Sequence, residues 1–223
     1  MLIISHKSRK EFTDYLDFKK IPYIKTIDNP NLDERIADHP DLSLCKVDEN
    51  TIIIDASVSS YYKDKLPHIR IIKGEKVSYK YPNDSIYNVV SFKEFYIHNN
   101  FTEKNIRKYF KNKDHLFVKQ GYTRCSTIVL NDSLLTSDLG IYKRLKDKLK
   151  IYLLNEEEIE LDGFSKGFLG GCFGLVDEKI ALFNGNIERL SSYDIIKSII
   201  VKEKLDLLYP DSNLLDTGSL IWI

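Results

Sequence analysis

Between residues 51 and 72 the chain reads Thr51-Ile52-Ile53-Ile54, then a polar turn and a helical stretch over 58–66, then Ile69-Arg70-Ile71-Ile72. The first four residues are β-branched and mostly apolar, which is typical of a strand buried on both faces. Pro67 marks the end of the helix because proline cannot continue a helical hydrogen-bond ladder. Residues 51–72 therefore predict a unit made of a strand, a helix and a second strand.

The same pattern occurs four more times along the chain, at spacings of roughly 40 to 50 residues, which indicates an internal repeat. The other opening strands are predicted at residues 2–4, 95–97, 127–130 and 179–183, and each precedes a helix. Their helices are predicted at 9–20, 105–111, from about 138 to 148, and at 192–203. The candidate helix caps are Thr102, Ser137 or Asp138, and Ser191.

An extended connector leads from each unit into the next, at residues 40–47, 85–90, 121–126, 167–176 and 213–223. The last connector has no unit after it, so we expect it to pair with the first unit and close a ring without free sheet edges. The pattern predicts a single α/β domain over 1–223, a five-bladed ββαβ propeller with pseudo-fivefold symmetry. The alternative is an open doubly wound sheet, but it does not explain the connectors, and no Gly-rich phosphate loop follows the first strand.

The composition excludes several classes of partner. Lys plus Arg and Asp plus Glu both number 33, and the two signs alternate, so no basic surface is expected for nucleic acid or an anionic membrane. No apolar run approaches the ~20 residues that span a bilayer, and we expect a cytoplasmic protein. Cys45, Cys125 and Cys172 are widely spaced, so neither a disulfide framework nor a structural zinc site is expected. We predict no metal and no other cofactor, and the oligomeric state stays open.

Short motifs across nearly the whole chain resemble an uncharacterised clostridial-type family with a pentein-like fold. They are His39-Pro40-Asp41, Gly121-Tyr122 with Cys125, Thr136-Ser137-Asp138 with Gly140-Ile141, Gly167-Phe168 with Gly170-Gly171, and Asp216 with Gly218. The pentein fold is that of amidinotransferases, arginine deiminases and dimethylarginine dimethylaminohydrolases, and also of a non-catalytic ribosome-associated translation initiation factor. The resemblance implies a guanidino-group modifying enzyme or a binding protein.

In a ring of similar units the connectors meet at the axis, so their polar and reactive residues are candidates for one shared site. These residues are His39, Asp41, Asn88, Cys125, Cys172 and Asp216. His39 has an unperturbed pKa near neutrality and could relay protons, although it could also be an idle turn histidine. Asp41 and Asp216 could hold a guanidinium by paired hydrogen bonds, or could simply form turns. Asp138 is foremost a helix N-cap and secondarily a substrate-binding candidate.

Two of the cysteines are candidate nucleophiles. Cys172 follows Gly170 and Gly171, whose backbone could approach a substrate closely and present N–H donors that lower the thiol pKa. Cys125 lies next to Arg124, a nearby positive charge, and is the second candidate. Cys45 is predicted to be a packing residue of a strand. We therefore expect Cys172 to alkylate faster than Cys45, with His39 favouring its thiolate.

Two functions remain open at this point. One is a hydrolase or transferase of a small guanidine- or amine-bearing substrate, in which Cys172 or Cys125 attacks and Asp41, Asn88, Asp138, Gly170, Gly171 and Asp216 bind the substrate. The other is a non-catalytic binding or scaffold protein. The enzymes of the pentein fold carry their nucleophile near the C-terminus, where this chain has Asp216. A metal site at His39, Asp41 and Asp216 is a weaker third idea, because no motif has ligand spacing.

Overall fold

Five three-stranded sheets, one for each unit, form the computed structural model, which describes residues 1–223. The first unit contains β1 and β2, and the second, third, fourth and fifth units contain β3–β5, β6–β8, β9–β11 and β12–β14. The strand bounds are β1 Leu2–Ile4, β2 Tyr23–Lys25, β3 Leu44–Asp48, β4 Thr51–Asp55, β5 Arg70–Gly74, β6 Val90–Phe92, β7 Phe95–His98, β8 Asp114–Phe117, β9 Thr127–Val129, β10 Leu134–Thr136, β11 Ile151–Leu153, β12 Phe173–Val176, β13 Ile180–Phe183, β14 Asp206–Leu208 and β15 Ile221–Trp222.

Each sheet has the same topology. The middle strand pairs antiparallel with a strand of the preceding connector and parallel with the strand that follows the helix. In the second unit, for example, Ile53 lies opposite Cys45 on one side and Ile72 on the other. The parallel pairing needs a crossover, and the helix of the unit supplies it.

The ring closes through the last strand. In β15, Ile221 pairs antiparallel with Ile3 of β1, whose other neighbour is β2. The first unit is thus completed by the end of the chain, which confirms the predicted closure. The structure is a pentein-like α/β propeller, and the open doubly wound sheet is excluded.

Five helices cross over between parallel strands, and a sixth is short. Their bounds are α1 Lys10–Lys19, α2 Pro40–Ser43, α3 Ser59–Lys65, α4 Lys104–Tyr109, α5 Leu139–Leu145 and α6 Tyr193–Lys202. Asp138 caps α5 by accepting from the Ile141 N–H, as predicted. The cap of α4 is Glu103 and not Thr102, because the Glu103 carboxylate accepts from the Ile106 N–H. Ser191 does not cap α6, since its hydroxyl donates to Glu157.

The predicted opening strand of the fourth unit was assigned to the wrong segment. Residues 127–129 form β9, the connector strand, and the middle strand is β10, with Leu135 opposite Ile128. Residues 131–133 form a tight turn between them. Two adjacent apolar runs joined by such a turn make a hairpin, and periodicity does not decide which run is central.

Two connectors are less extended than predicted. Residues 40–43 form the short helix α2 before β3 begins, and Leu169–Cys172 form one turn of 3-10 helix before β12. Both turns end next to the axis and lead into a connector strand. They place His39, Asp41 and Cys172 on tightly wound backbone instead of on strands.

The core lies between neighbouring units. The largest cluster of buried apolar side chains joins the fourth and fifth units and includes Ile128, Leu135, Phe173 and Phe183. The middle strands are almost completely buried, as their apolar composition predicts. No helix combines the length and apolar content that crossing a bilayer requires.

Candidate functional site

Cys125 lies at the axis between two polar side chains. Its Sγ donates to Asp41 Oδ2 over 3.0 Å, and Asn88 Nδ2 donates to the same sulfur over 3.1 Å. All three side chains are buried. Asp41 and Cys125 are 84 residues apart in sequence, and the ring brings their connectors together.

Asn88 orients the backbone that carries the thiol. Its Oδ1 accepts from the backbone N–H groups of Arg124, at 2.6 Å, and Cys125, at 3.1 Å. Its amide group therefore binds both the main chain and the sulfur of Cys125. The thiol is fixed in position by the connector of another unit.

Asp216 is a second buried carboxylate at the axis. Its Oδ2 accepts from the Phe168 N–H at 2.8 Å, and its Oδ1 accepts from the Gly218 N–H at 3.0 Å. A Cβ at Gly171 would overlap Asp216 Oδ1, so only glycine lets the connector at residues 167–176 pass this carboxylate. The carboxylate is held mainly by backbone donors.

His39 is buried and packs against the end of the chain. A Cβ built on Gly218, which has φ +76°, would overlap the Cβ of His39, so this glycine is required for both conformation and space. The Asp41 N–H also donates to the Gly218 carbonyl over 3.4 Å. His39, Asp41 and Asp216 are thus joined through residues 216–218.

The charges of this centre act on one another. Burial raises the pKa of the Cys125 thiol well above its usual value, and the carboxylates of Asp41 and Asp216 raise it further. Burial also raises the pKa of Asp216, while His39 opposes this shift. Burial and the two carboxylates thus favour the neutral thiol of Cys125 in the free protein.

The expected environment of Cys172 is corrected by the structure. Cys172 is 0% exposed and belongs to the largest apolar cluster, where the only hydrogen bond of its thiol is to the Phe168 carbonyl at 3.7 Å. Burial, followed by the charge of Asp216, raises its pKa well above the usual value. Donors that would favour its thiolate are absent. Burial raises the pKa of Cys45 to about 12, in keeping with a packing residue.

The two glycines before Cys172 serve close packing. A Cβ at Gly170 would overlap the carbonyl oxygen of Cys125, and one at Gly171 would overlap Asp216. This leaves no room for a ligand where residues 170–171 meet the connectors at 121–126 and 213–223, contrary to the expected substrate-binding role. Asp138 makes no hydrogen bond to the thiol of Cys125: its carboxylate caps α5 and accepts from Gln120 Nε2 at 3.2 Å.

The candidate residues do not all occupy equivalent positions in the repeat. When the connector strands are aligned on their middle strands, Asn88 and Cys172 share one position. Its other occupants are Ser43, Ser126 and Ser219, and all five are buried. Asp41, Cys125 and Asp216 occupy other positions. Their approach to one another therefore depends on the different lengths of the loops before the strands.

His98 is a buried histidine that the repeat pattern does not single out. Its Nε2 donates to the Gly121 carbonyl at 2.8 Å, and its Nδ1 lies 2.9 Å from Thr102 Oγ1. Burial lowers its pKa to about 4. His98 is therefore neutral, and it anchors the beginning of the connector that carries Cys125.

One group of side chains has the spacing of metal ligands. His6, Asp28 and Asp38 have donor atoms within 4.8 Å of one another. Lys7 Nζ lies 2.9 Å from Asp38 Oδ1, so an ammonium group already neutralises this carboxylate. His39, Asp41 and Asp216 do not form such a group.

Comparison with known proteins agrees with the fold. A model of the family of unknown function DUF6873 matches residues 3–221. The chain belongs to this family. No protein among curated sequences matches the chain significantly.

Two solved structures have a similar fold. A dimethylarginine dimethylaminohydrolase, as its adduct with 4-chloro-2-hydroxymethylpyridine, is 12% identical with a TM-score of 0.53, over 94% of this chain and 91% of the other. A cysteine-to-serine variant of agmatine deiminase from C. jejuni, with substrate bound, is 10% identical with a TM-score of 0.55, over 96% of this chain and 80% of the other. The structural similarity over most of both chains shows a shared pentein fold.

Proposed function

We propose that this chain is a hydrolase or transferase that acts on a small guanidine- or amine-bearing substrate with Cys125 as the nucleophile. The observation that carries the proposal is the position of Cys125 Sγ, 3.0 Å from Asp41 Oδ2 and 3.1 Å from Asn88 Nδ2. By their names, the two enzymes of similar fold act on dimethylarginine and agmatine, which both contain a guanidine group.

The two carboxylates supply a reason for a cationic substrate. Asp41 Oδ1 is buried and has no hydrogen-bond partner, so it is free to accept from a guanidinium or ammonium group. The charges of Asp41 and Asp216 raise the pKa of Cys125 in the free protein. A bound cation would offset these charges, so the thiolate would form mainly in the complex with substrate.

The reaction follows from this arrangement. The thiolate of Cys125 attacks the central guanidine carbon, an S–C bond forms, and the C–N bond to the leaving nitrogen breaks as that nitrogen takes up a proton. Water then attacks the same carbon in a hydrolase, or an amine does so in a transferase, and the S–C bond breaks to restore the thiol. His39, which packs against Gly218 two residues from Asp216, is the candidate for moving protons in these steps.

A turnover assay tests the proposal. The protein is incubated with guanidine, alkylguanidines, arginine and agmatine, and released ammonia or amine is measured together with the ureido product. We expect turnover of at least one of these compounds, loss of turnover in Cys125→Ser, and unchanged turnover in Cys45→Ser as the matched control. Turnover that persists in Cys125→Ser would disprove the role of this thiol.

A non-catalytic binding protein is the second candidate. It is favoured by one observation: all three thiols are buried, and the pKa of each is raised. In this case Cys125 would be a hydrogen-bond donor to Asp41 and not a nucleophile. Calorimetry would then detect binding of a cation without turnover, and Cys125→Ser would bind it with similar affinity.

A further inference from the structure

A channel runs along the axis on the side where the connector strands end. It has a volume of about 260 Å³ and is lined by residues from all five connectors. Nine of its fourteen lining residues are hydrophobic, among them Leu44, Val129, Leu175 and Leu220. Any ligand body that fills this channel must therefore be largely apolar.

Two basic side chains line this apolar channel. Arg124 lies three residues before β9, and Lys46 lies on β3. Arg124 Nη1 donates to the Thr127 carbonyl at 3.1 Å, which is the only side-chain hydrogen bond of this guanidinium, and the Lys46 ammonium makes none. Neither group takes part in an ion pair.

The channel offers these cations no internal counter-charge within ion-pair distance. Its two acidic residues are Asp41, whose Oδ2 is occupied by the Cys125 thiol, and Glu178; their charges act on Arg124 and on Lys46, respectively, but neither carboxylate forms an ion pair with them. A sheltered cation without a partner is costly, because the surrounding apolar groups cannot replace its hydration. An anion that enters the channel would supply a negative charge at ion-pair distance and acceptors for the free guanidinium donors.

We propose that this channel binds a small monocarboxylate with a branched or aromatic apolar body. Its carboxylate pairs with Arg124, and its body lies against the side chains of the connector strands. The apolar walls favour such a ligand over inorganic phosphate, which needs donors on all sides. The proposal does not depend on the reactivity of Cys125, since a carboxylate would bind here whether or not that thiol is a nucleophile.

Calorimetric titration tests this proposal with four probes: the carboxylates benzoate and 3-methylbutanoate, benzamide as the neutral counterpart of benzoate, and inorganic phosphate. We expect saturable binding of benzoate. Benzamide and phosphate should each bind at least about tenfold more weakly than benzoate. In Arg124→Gln the benzoate affinity should fall by about tenfold or more, as expected for the loss of a charged hydrogen-bond pair. Arg144→Gln, which removes an exposed arginine outside the channel, should bind benzoate like the wild type.

A second variant keeps the test decisive if Arg124→Gln fails to fold. Leu175→Trp fills the channel from a half-buried position and leaves both charges in place, so it should lose benzoate binding without a large change in melting temperature. The proposal is overturned if neither benzoate nor 3-methylbutanoate binds saturably to the wild type. It is also overturned if Arg124→Gln and Leu175→Trp both bind benzoate as tightly as the wild type. Cys125→Ser should retain binding, which separates this result from failure of the proposed reaction.

Discussion

Cys125 and Cys172 lie on neighbouring connectors, yet their surroundings differ. Cys125 contacts the side chains of Asp41 and Asn88, whereas Cys172 packs among the apolar side chains of two units. Both thiols are almost completely buried, at 3% and 0% exposure. Burial therefore does not distinguish a candidate nucleophile from a packing residue, and the polar side chains contributed by other connectors do.

The glycines beside Cys172 illustrate the same lesson. A glycine-flanked cysteine suggests space for a ligand. The space beside the Cα atoms of Gly170 and Gly171, however, is occupied by the Cys125 carbonyl oxygen and by Asp216, respectively. They permit the close approach of one connector to the next. The connector at residues 167–176 thus packs against the backbone of Cys125 and against Asp216.

The largest expected effect is that of Gly170→Ala. Its Cβ would overlap the Cys125 carbonyl and lie 2.8 Å from the carbonyl oxygens of Arg124 and Thr127, all of which are backbone atoms that cannot move independently. We expect a loss of about 4 kcal/mol in the free energy of unfolding, measured by urea denaturation. Gly140→Ala in α5 is the matched control and should change stability by less than about 1 kcal/mol. Equal effects would show that the two connectors are not in close contact.

The next effect is a pH dependence caused by His98, which holds the connector of Cys125. Its pKa is lowered to about 4 by burial, so the unfolded chain takes up a proton at higher pH than the native protein. The contribution of His98 to stability is therefore complete above pH ~6.5 and is lost as the pH falls toward about 4, by about 3 kcal/mol.

Denaturation of wild-type protein and His98→Gln across this pH range measures the effect. The variant should lose most of the slope that His98 causes, and the exposed His68→Gln should keep it. An unchanged slope in His98→Gln would mean that His98 is not held neutral in the native state.

Asn88→Ala should cost about 2 kcal/mol of stability. The substitution leaves the Cys125 N–H without an acceptor in the buried axis, while the Arg124 N–H keeps only the Asn88 carbonyl at 3.2 Å. Thermal or urea denaturation measures the loss. Asn131→Ala, on an exposed loop, should change stability by less than about 0.5 kcal/mol. A neutral Asn88→Ala would contradict the role of Asn88 in orienting Cys125.

Asp41→Asn gives the smallest effect and separates the two thiols. Because the charge of Asp41 raises the pKa of Cys125, its removal should increase alkylation of Cys125 at pH 8 by about threefold to tenfold. Asp41 is not among the groups that shift the pKa of Cys172, so the rate at Cys172 should not change. Peptide mapping after a timed reaction with iodoacetamide measures both rates in one sample. A parallel increase at both thiols would indicate general loosening.

The fold was predictable from sequence because its signal is local and repeated. Each middle strand is an apolar run such as Ile52-Ile53-Ile54, and the unmatched final segment predicts the pairing of Ile221 with Ile3. The middle strand of the fourth unit was predicted at residues 127–130 instead of at β10, because β9 and β10 are both short and apolar.

The candidate site was only partly accessible from sequence. The repeat places Asp41, Asn88, Cys125 and Asp216 near an axis, but contact between side chains depends on loop length and side-chain direction. The hydrogen bond from Cys125 to Asp41 joins residues whose positions in the repeat differ, so periodicity cannot predict it. The unpaired charge of Arg124 also becomes visible only when the channel around it is known.

The most direct test of the proposed reaction compares two alkylating reagents of similar size, the cationic chloroacetamidine and the neutral chloroacetamide. The amidinium group of the first should bind at Asp41 and Asp216 and bring its reactive carbon to Cys125. We predict that chloroacetamidine labels Cys125 at least about tenfold faster than chloroacetamide does, that Asp41→Asn abolishes this preference, and that Cys172 shows none. Equal labelling of Cys125 by the two reagents in the wild type would contradict a cation-binding thiol site at the axis.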